Sequence, residues 1–180
     1  MISIRVERRR ISYSFKADPQ KPDSFENNWK NNSLDRIVIH SNGADEICFR
    51  CQTVANYCFG DHAKASTVAH GDTIAPGSFI VCAFVPPRSF HGEIHAITNT
   101  KDIDGEWIDR EGMQITKNGF QNGRFLIHDR FSFKTGSDTN YAWSAGCFIL
   151  SSADLVLFNK ILCMHHVMPG DLIGGLLIEV

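Results

Sequence analysis

The chain has 180 residues, enough to bury one core of ordinary size and too few for two ordinary domains. Hydrophobic residues make up 43% and charged residues 21%, a balance that excludes wholesale disorder. The formal net charge of -2 and the pI near 6.4 give no electrostatic footprint for a nucleic-acid partner.

From Met1 to Arg10 the chain alternates apolar and polar residues and then turns basic. It has no apolar core of a Sec signal peptide there, and no later run approaches the roughly 18 apolar residues of a membrane span. The expectation is a protein made and kept in the cytoplasm, one that leaves by a non-Sec route, or one that has lost a leader. Ile2–Val6 and Ile11–Phe15 read as strands joined by Arg8-Arg9-Arg10, a solvated hairpin end rather than a binding patch. Asp18–Ser33 is polar and rich in Pro and Asn, so a surface loop is predicted.

Arg36–His40 and Glu46–Thr53 flank the turn signal Ser41-Asn-Gly-Ala-Asp45 and predict a hairpin. Ser78–Val85 is a strongly apolar strand stopped by Pro86-Pro87, and His91–Ile97 alternates again. Asn99–Gly119 is a polar excursion around Trp107; Arg124–His128 returns as an apolar strand. Ser132–Asn140 is a polar loop suited to a substrate-facing flap. A single segment reads as a helix: Ser151 and Asp154 resemble a capping box, and Leu155, Phe158, Ile161 and Leu162 follow at helical spacing. Pro169-Gly170 closes it, and Leu172–Val180 is a final strand. The expected architecture is one mainly-β domain over residues 1–180 with one helix directly after a cysteine turn.

Two local patterns carry chemistry. His128 stands at the end of an apolar strand, and Cys147 follows Ser144-Ala145-Gly146 at the start of another apolar run. Thiol catalysis needs a base and a sulfur held out on a tight turn, and Gly146 permits such a turn. Cys147 is the candidate nucleophile and His128 the candidate base. Gly146 and Ser144 would build the turn, whose backbone N–H groups suit a developing oxyanion. Trp143, beside the turn, is the tryptophan expected to touch the site; Trp29 and Trp107 are expected in the core or rim.

Competing metal readings are weaker. His91, Glu93 and His95 would share one strand face, but the H-x-x-x-H spacing signals zinc on a helix with Glu directly after the first His. They are read as partly exposed strand residues, with His91 a supporting active-site candidate. Cys48 and Cys51 have C-x-x-C spacing without a second ligand pair. The six cysteines are read as reduced thiols, mostly buried, with no disulfide framework required. No metal or cofactor is expected.

His128, fifteen residues, then Ser144-Ala145-Gly146-Cys147 resembles the L,D-transpeptidase signature of His, about 14 to 17 residues, Ser/Thr-x-Gly-Cys. Asp72–Ile80, with Pro76-Gly77 and Phe79, is similar to the Thr-Pro-x-Gly-x-Phe/Tyr strand start upstream in that family. The resemblance spans about residues 70–165, with 1–69 as N-terminal strands and loop of the same domain. It implies a β-sandwich-like catalytic domain and a peptidoglycan stem peptide as substrate. Cys147 would form a thioacyl intermediate, resolved by an amine (transpeptidation or exchange) or by water (L,D-carboxypeptidase). Ile149 stands where the family usually carries Arg or Asn, so Arg130 or Arg124 becomes the candidate substrate contact. Asp129 stands where Gly commonly follows the His. The alternatives are a catalytically silent binding module on the same fold, or a cysteine amidase or peptidase on another fold.

Overall fold

A computed structural model describes residues 2–9, 35–41, 47–53, 73–86, 93–103, 105–107, 125–129, 131–132, 137–138 and 146–180. Among them the protein is mainly β with one helix. The strands are β1 (Ile2–Arg8), β2 (Asp35–Ser41), β3 (Ile47–Cys51), β4 (Gly77–Val85), β5 (Ile94–Thr98), β6 (Phe125–Asp129), β7 (Phe131–Ser132), β8 (Ser137–Asp138) and β9 (Phe148–Leu150). The helix α1 (Ser152–Met164) and β10 (Leu172–Glu179) follow.

Eight strands form one sheet in the order β3-β2-β1-β10-β4-β5-β6-β9. Its two outermost strands meet at Gln52 and Ile149, whose backbones exchange two hydrogen bonds of 2.9 Å. The sheet is therefore nearly closed, a single curled layer rather than two stacked ones. Successive side chains alternate between its faces. The inner rows (Ile4 and Val6, Ile37 and Ile39, Phe79 and Val81, Phe125 and Ile127, Phe148 and Leu150) merge into one buried cluster. The C-terminal strand β10 lies centrally, parallel to β1 and antiparallel to β4. Gly175 faces Phe79 there, and a Cβ on it would fall 2.2 Å from the Phe79 ring, so only glycine lets that ring fill the core.

Following the pairings around the sheet, one rim collects the ends of β1, β3, β5 and β10 and the starts of β2, β4, β6 and β9. The helix packs at the opposite rim, with Leu155, Phe158, Ile161 and Leu162 in the inner cluster. Ser151 caps it, its hydroxyl accepting from the Asp154 N–H at 3.0 Å. No described helix is long and apolar enough to cross a membrane.

Two expectations need correction. Arg8 is no solvated turn residue: it continues the inner row of β1 and is 2% exposed. Its Nε donates to Thr53 Oγ1 (3.0 Å), Nη1 to the Ile74 carbonyl (2.7 Å) and Nη2 to the Thr53 carbonyl (2.9 Å). Thr53 Oγ1 donates in turn to Asp35 Oδ2 at 2.6 Å, so a guanidinium and a carboxylate are joined through a hydroxyl inside the rim. Both edges of β1 are occupied, by β2 and β10. The second predicted strand, Ile11–Phe15, lies outside the described residues. The Asp18–Ser33 loop and Trp29 also lie outside them.

His95 is likewise no partly exposed strand residue; it is completely buried, whereas Glu93 is exposed. At a bulge in β4, Phe84 adopts a left-handed φ of 47° and its N–H donates to His95 Nδ1 at 3.1 Å. With Nδ1 accepting, Nε2 carries the proton and donates to Asn159 Oδ1 of α1 at 2.7 Å. The Asn159 amide donates onward to the Glu93 carbonyl. The imidazole thus ties bulge, strand and helix together, which is a structural role. Desolvation pushes its pKa down from 6.5 to about 4, against the hydrogen bond it donates to Asn159, which raises it.

Arg8→Ala would leave Asp35 and Thr53 buried without the guanidinium. We expect it to lower the unfolding free energy by about 3–5 kcal/mol in chemical denaturation. Arg5→Ala, which breaks the part-exposed Arg5–Glu7 ion pair, should cost under about 1 kcal/mol. Equal effects would contradict the buried lock. For His95, the unfolded side chain takes up a proton near pH 6.5 and the folded one only near pH 4. Between those values the unfolded state binds the extra proton, so stability falls as pH is lowered, at up to about 1.4 kcal/mol per unit. Denaturation series from pH 7 to 4 should show that slope reduced in His95→Gln, which is neutral throughout.

Candidate functional site

β6 and β9 are adjacent and parallel, with Ile127 beside Phe148 and His128 beside Ile149. Phe148 is an inner residue, packed edge-on to Phe79 at 5.7 Å. Alternation then turns Cys147 and Ile149 to the outer face, which His128 shares. Cys147 packs against the outer cluster of Cys82, Val85, Ile94, Ala96 and Leu126 and, at the rim, also against the inner one. Register carries Cys147 to the level of Leu126, with His128 two residues further along. From strand spacing and rise their Cα atoms lie roughly 8 Å apart, a gap that an imidazole and a thiol span.

Local chemistry fixes each member. Gly146 adopts φ 123°, a backbone conformation that side-chain-bearing residues rarely take, and so sets the turn into β9. Cys147 remains partly exposed while His128 is 6% exposed. His128 Nδ1 is hydrogen-bonded to the Asp129 carbonyl in a close contact. A carbonyl accepts only, so Nδ1 is the protonated nitrogen and Nε2 carries the basic lone pair. The Asp129 carboxylate accepts from Ser152 Oγ at 2.7 Å, which anchors this end of β6 to the first turn of α1.

Cys147 differs from the other described cysteines, none of which forms a disulfide. Cys51 is buried in the inner face, and its thiol is pushed well above 9.0 by burial, then by the Asp35 carboxylate and Cys48, against the lowering effect of Arg8. Cys48 is exposed. Three residues apart on a strand, Cys48 and Cys51 face opposite sides and cannot chelate one ion together. Among the described residues no group of three or more His, Cys, Asp or Glu is placed to hold a metal.

Ser144, Trp143, Arg130, Arg124 and His91, like Cys58, lie outside the described residues. At the predicted flap, Phe131 pairs with Asp138 and Ser132 with Ser137. Gln52 is a residue that the sequence did not point to. It is completely buried, and alternation from Cys51 and Thr53 turns it to the outer face beside Ile149, in the same row as His128. Nothing local marks it, because the pairing joins positions 52 and 149. A groove of about 610 Å³ beside α1 includes Asp129 and Ser152 but neither His128 nor Cys147.

The sequence matches no protein-family model. In the crystal structure of the helical cell shape determining protein Pgp2 from Campylobacter jejuni, the similarity is 14% identity at a TM-score of 0.44. It covers 99% of this chain and 48% of that one, so the chain spans about half of that protein's length. A protein of Treponema pallidum (strain Nichols), described as an uncharacterized protein, is 56% identical over 181 residues. That match takes in 99% of this chain and 81% of the relative. At that identity and coverage, the chain belongs to the same family as the Treponema pallidum protein.

Proposed function

We propose that the protein is a cysteine acyl-transfer enzyme of the L,D-transpeptidase type, acting on peptidoglycan stem peptides. The observation that supports it most is the side-by-side run of β6 and β9, which sets His128 and Cys147 roughly 8 Å apart at their Cα atoms by strand spacing and rise, with the His128 tautomer set by the Asp129 carbonyl. The substrate class rests on the resemblance of His128 and Ser144–Cys147 to the family signature.

In this reading His128 Nε2 takes the Cys147 proton, and the thiolate attacks the carbonyl of the third, diamino-acid residue of the stem peptide. The oxyanion of the tetrahedral adduct is held by the N–H groups of Gly146 and Cys147. The C–N bond then breaks, the departing terminal D-amino acid takes the proton from His128, and a thioester remains on Cys147. An amine or water attacks the thioester, His128 accepts its proton, and the thiol is restored on release. The imidazolium stays oriented because Nδ1–H keeps its bond to the Asp129 carbonyl throughout. No step calls on a metal or an organic cofactor.

A second reading, a silent binding module on the same fold, draws support from Ile149. It is completely buried and apolar where the family carries a substrate-binding Arg or Asn. Activity decides between them. Incubation with tetrapeptide muropeptides should release the terminal D-residue. Cys147→Ser should abolish release, and His128→Gln should slow it by about 10²–10⁴-fold, the range for loss of a general base. Binding without release would favour the silent module. Release that survives Cys147→Ser would remove the enzyme proposal.

A further inference from the structure

We propose that a cleft at the end of β5 binds a pyranose ring, with Trp107 as its stacking platform. The cleft encloses about 400 Å³ and is lined by Ser78, Asn99, Thr100, Lys101, Asp102 and Trp107 among others. A sugar ring offers a face of C–H bonds and a rim of hydroxyls. It is held by an exposed aromatic face with polar groups around its edge, and this cleft presents both.

The platform is built to stay exposed. Trp107 is 48% exposed, although a tryptophan used only for packing buries most of its surface. Trp107 pairs with Lys101 in an isolated antiparallel bridge, and the turn between them is closed by three hydrogen bonds. The Asp102 N–H donates to the Glu106 carbonyl (2.9 Å), the Glu106 N–H to Asp102 Oδ1 (2.9 Å) and the Gly105 N–H to the Asp102 carbonyl (3.0 Å). Lys101 Nζ sits 5.1 Å from the indole centroid and steadies one ring face. The whole turn is fastened to the sheet, the Ala75 N–H donating to the Lys101 carbonyl and the Ile103 N–H to the Thr73 carbonyl. Beside it the Ile74 carbonyl is held by buried Arg8. A Cβ built on Gly77 or Gly105 would meet nothing within 4 Å, so the walls are open at both. A rigid frame that holds a large aromatic toward solvent in a cleft edged by polar side chains costs apolar burial, and ligand binding repays that cost.

Position gives the sugar a place in the reaction, a step that rests on the proposed function. The cleft opens at the rim where β9 starts, and β6 alone separates β5 from β9, about two strand spacings or roughly 10 Å. Three extended residues reach about the same distance, roughly 10 Å. The attacked carbonyl belongs to the third residue of a peptide that hangs from an amino sugar. Seating that sugar on Trp107 would place the third carbonyl at Cys147.

The test needs no turnover. Peptide-free N-acetylglucosamine oligomers are titrated into ¹⁵N-labelled protein carrying Cys147→Ala, and the indole N–H resonances are followed, with that of Trp107 identified by its loss in Trp107→Phe. We expect the Trp107 indole to shift saturably, and Trp107→Ala to weaken binding by at least about tenfold. An unmoved Trp107 indole, or binding that maps elsewhere, overturns the site even if Trp107→Ala does not fold. Sugar binding without release of a D-residue by the wild-type protein would keep this site and remove the transpeptidase reading.

Discussion

Two backbone hydrogen bonds between Gln52 and Ile149 are the constraint on which the rest of the molecule depends. They join the outermost strands of an eight-stranded order and hold β9, only three residues long, between β6 and β3. An edge strand that short, paired on one side only, would not hold Cys147 in place. The segment that supplies Gln52 is itself fixed from inside by Thr53, which passes a hydrogen bond from Arg8 to Asp35. The N-terminal strands are thus what closes the sheet around the Cys147 turn.

The nearly closed sheet separates its tasks by rim. At one rim α1 seals the inner cluster, with His95 locking the β4 bulge to Asn159. At the other, Gly146 turns the chain into β9, the Arg8 network braces the ends of β1 and β3, and the Trp107 turn stands beside the start of β4. Parallel strands need a long connection, and the one between β6 and β9 carries the β7–β8 ribbon. His128 and Cys147 stand near opposite ends of that connection, so their separation in sequence and their placement on neighbouring strands are both consequences of one crossover.

What could be read from the sequence was local. Alternation marked most strands, Ser151 marked the helix start, and glycine before cysteine marked the turn that Gly146 makes at φ 123°. Pairing was not legible, because it is decided between distant segments. Arg8 reads as solvated from its neighbours, since the partners that make its burial affordable, Thr53 and Ile74, are 45 and 66 residues away. His95 looks like an exposed alternating residue because the bulge at Phe84 and the Asn159 amide, which complete its hydrogen bonds, are invisible in a strand pattern. Gln52 has no signal at all until β3 and β9 meet. The candidate nucleophile and base were legible because each sits in its own short motif; the row that surrounds them was not.

The central claim is a thioester on Cys147, and intact-protein mass spectrometry after brief exposure to a tetrapeptide muropeptide tests it most directly. The account predicts an added mass equal to the substrate less its terminal D-amino acid, located on the peptide containing Cys147 and absent in Cys147→Ser. It also predicts that the adduct fails to form at a comparable rate in His128→Gln. An adduct on Cys48 or Cys163 instead, or substrate turnover with Cys147 unmodified and dispensable, would contradict it.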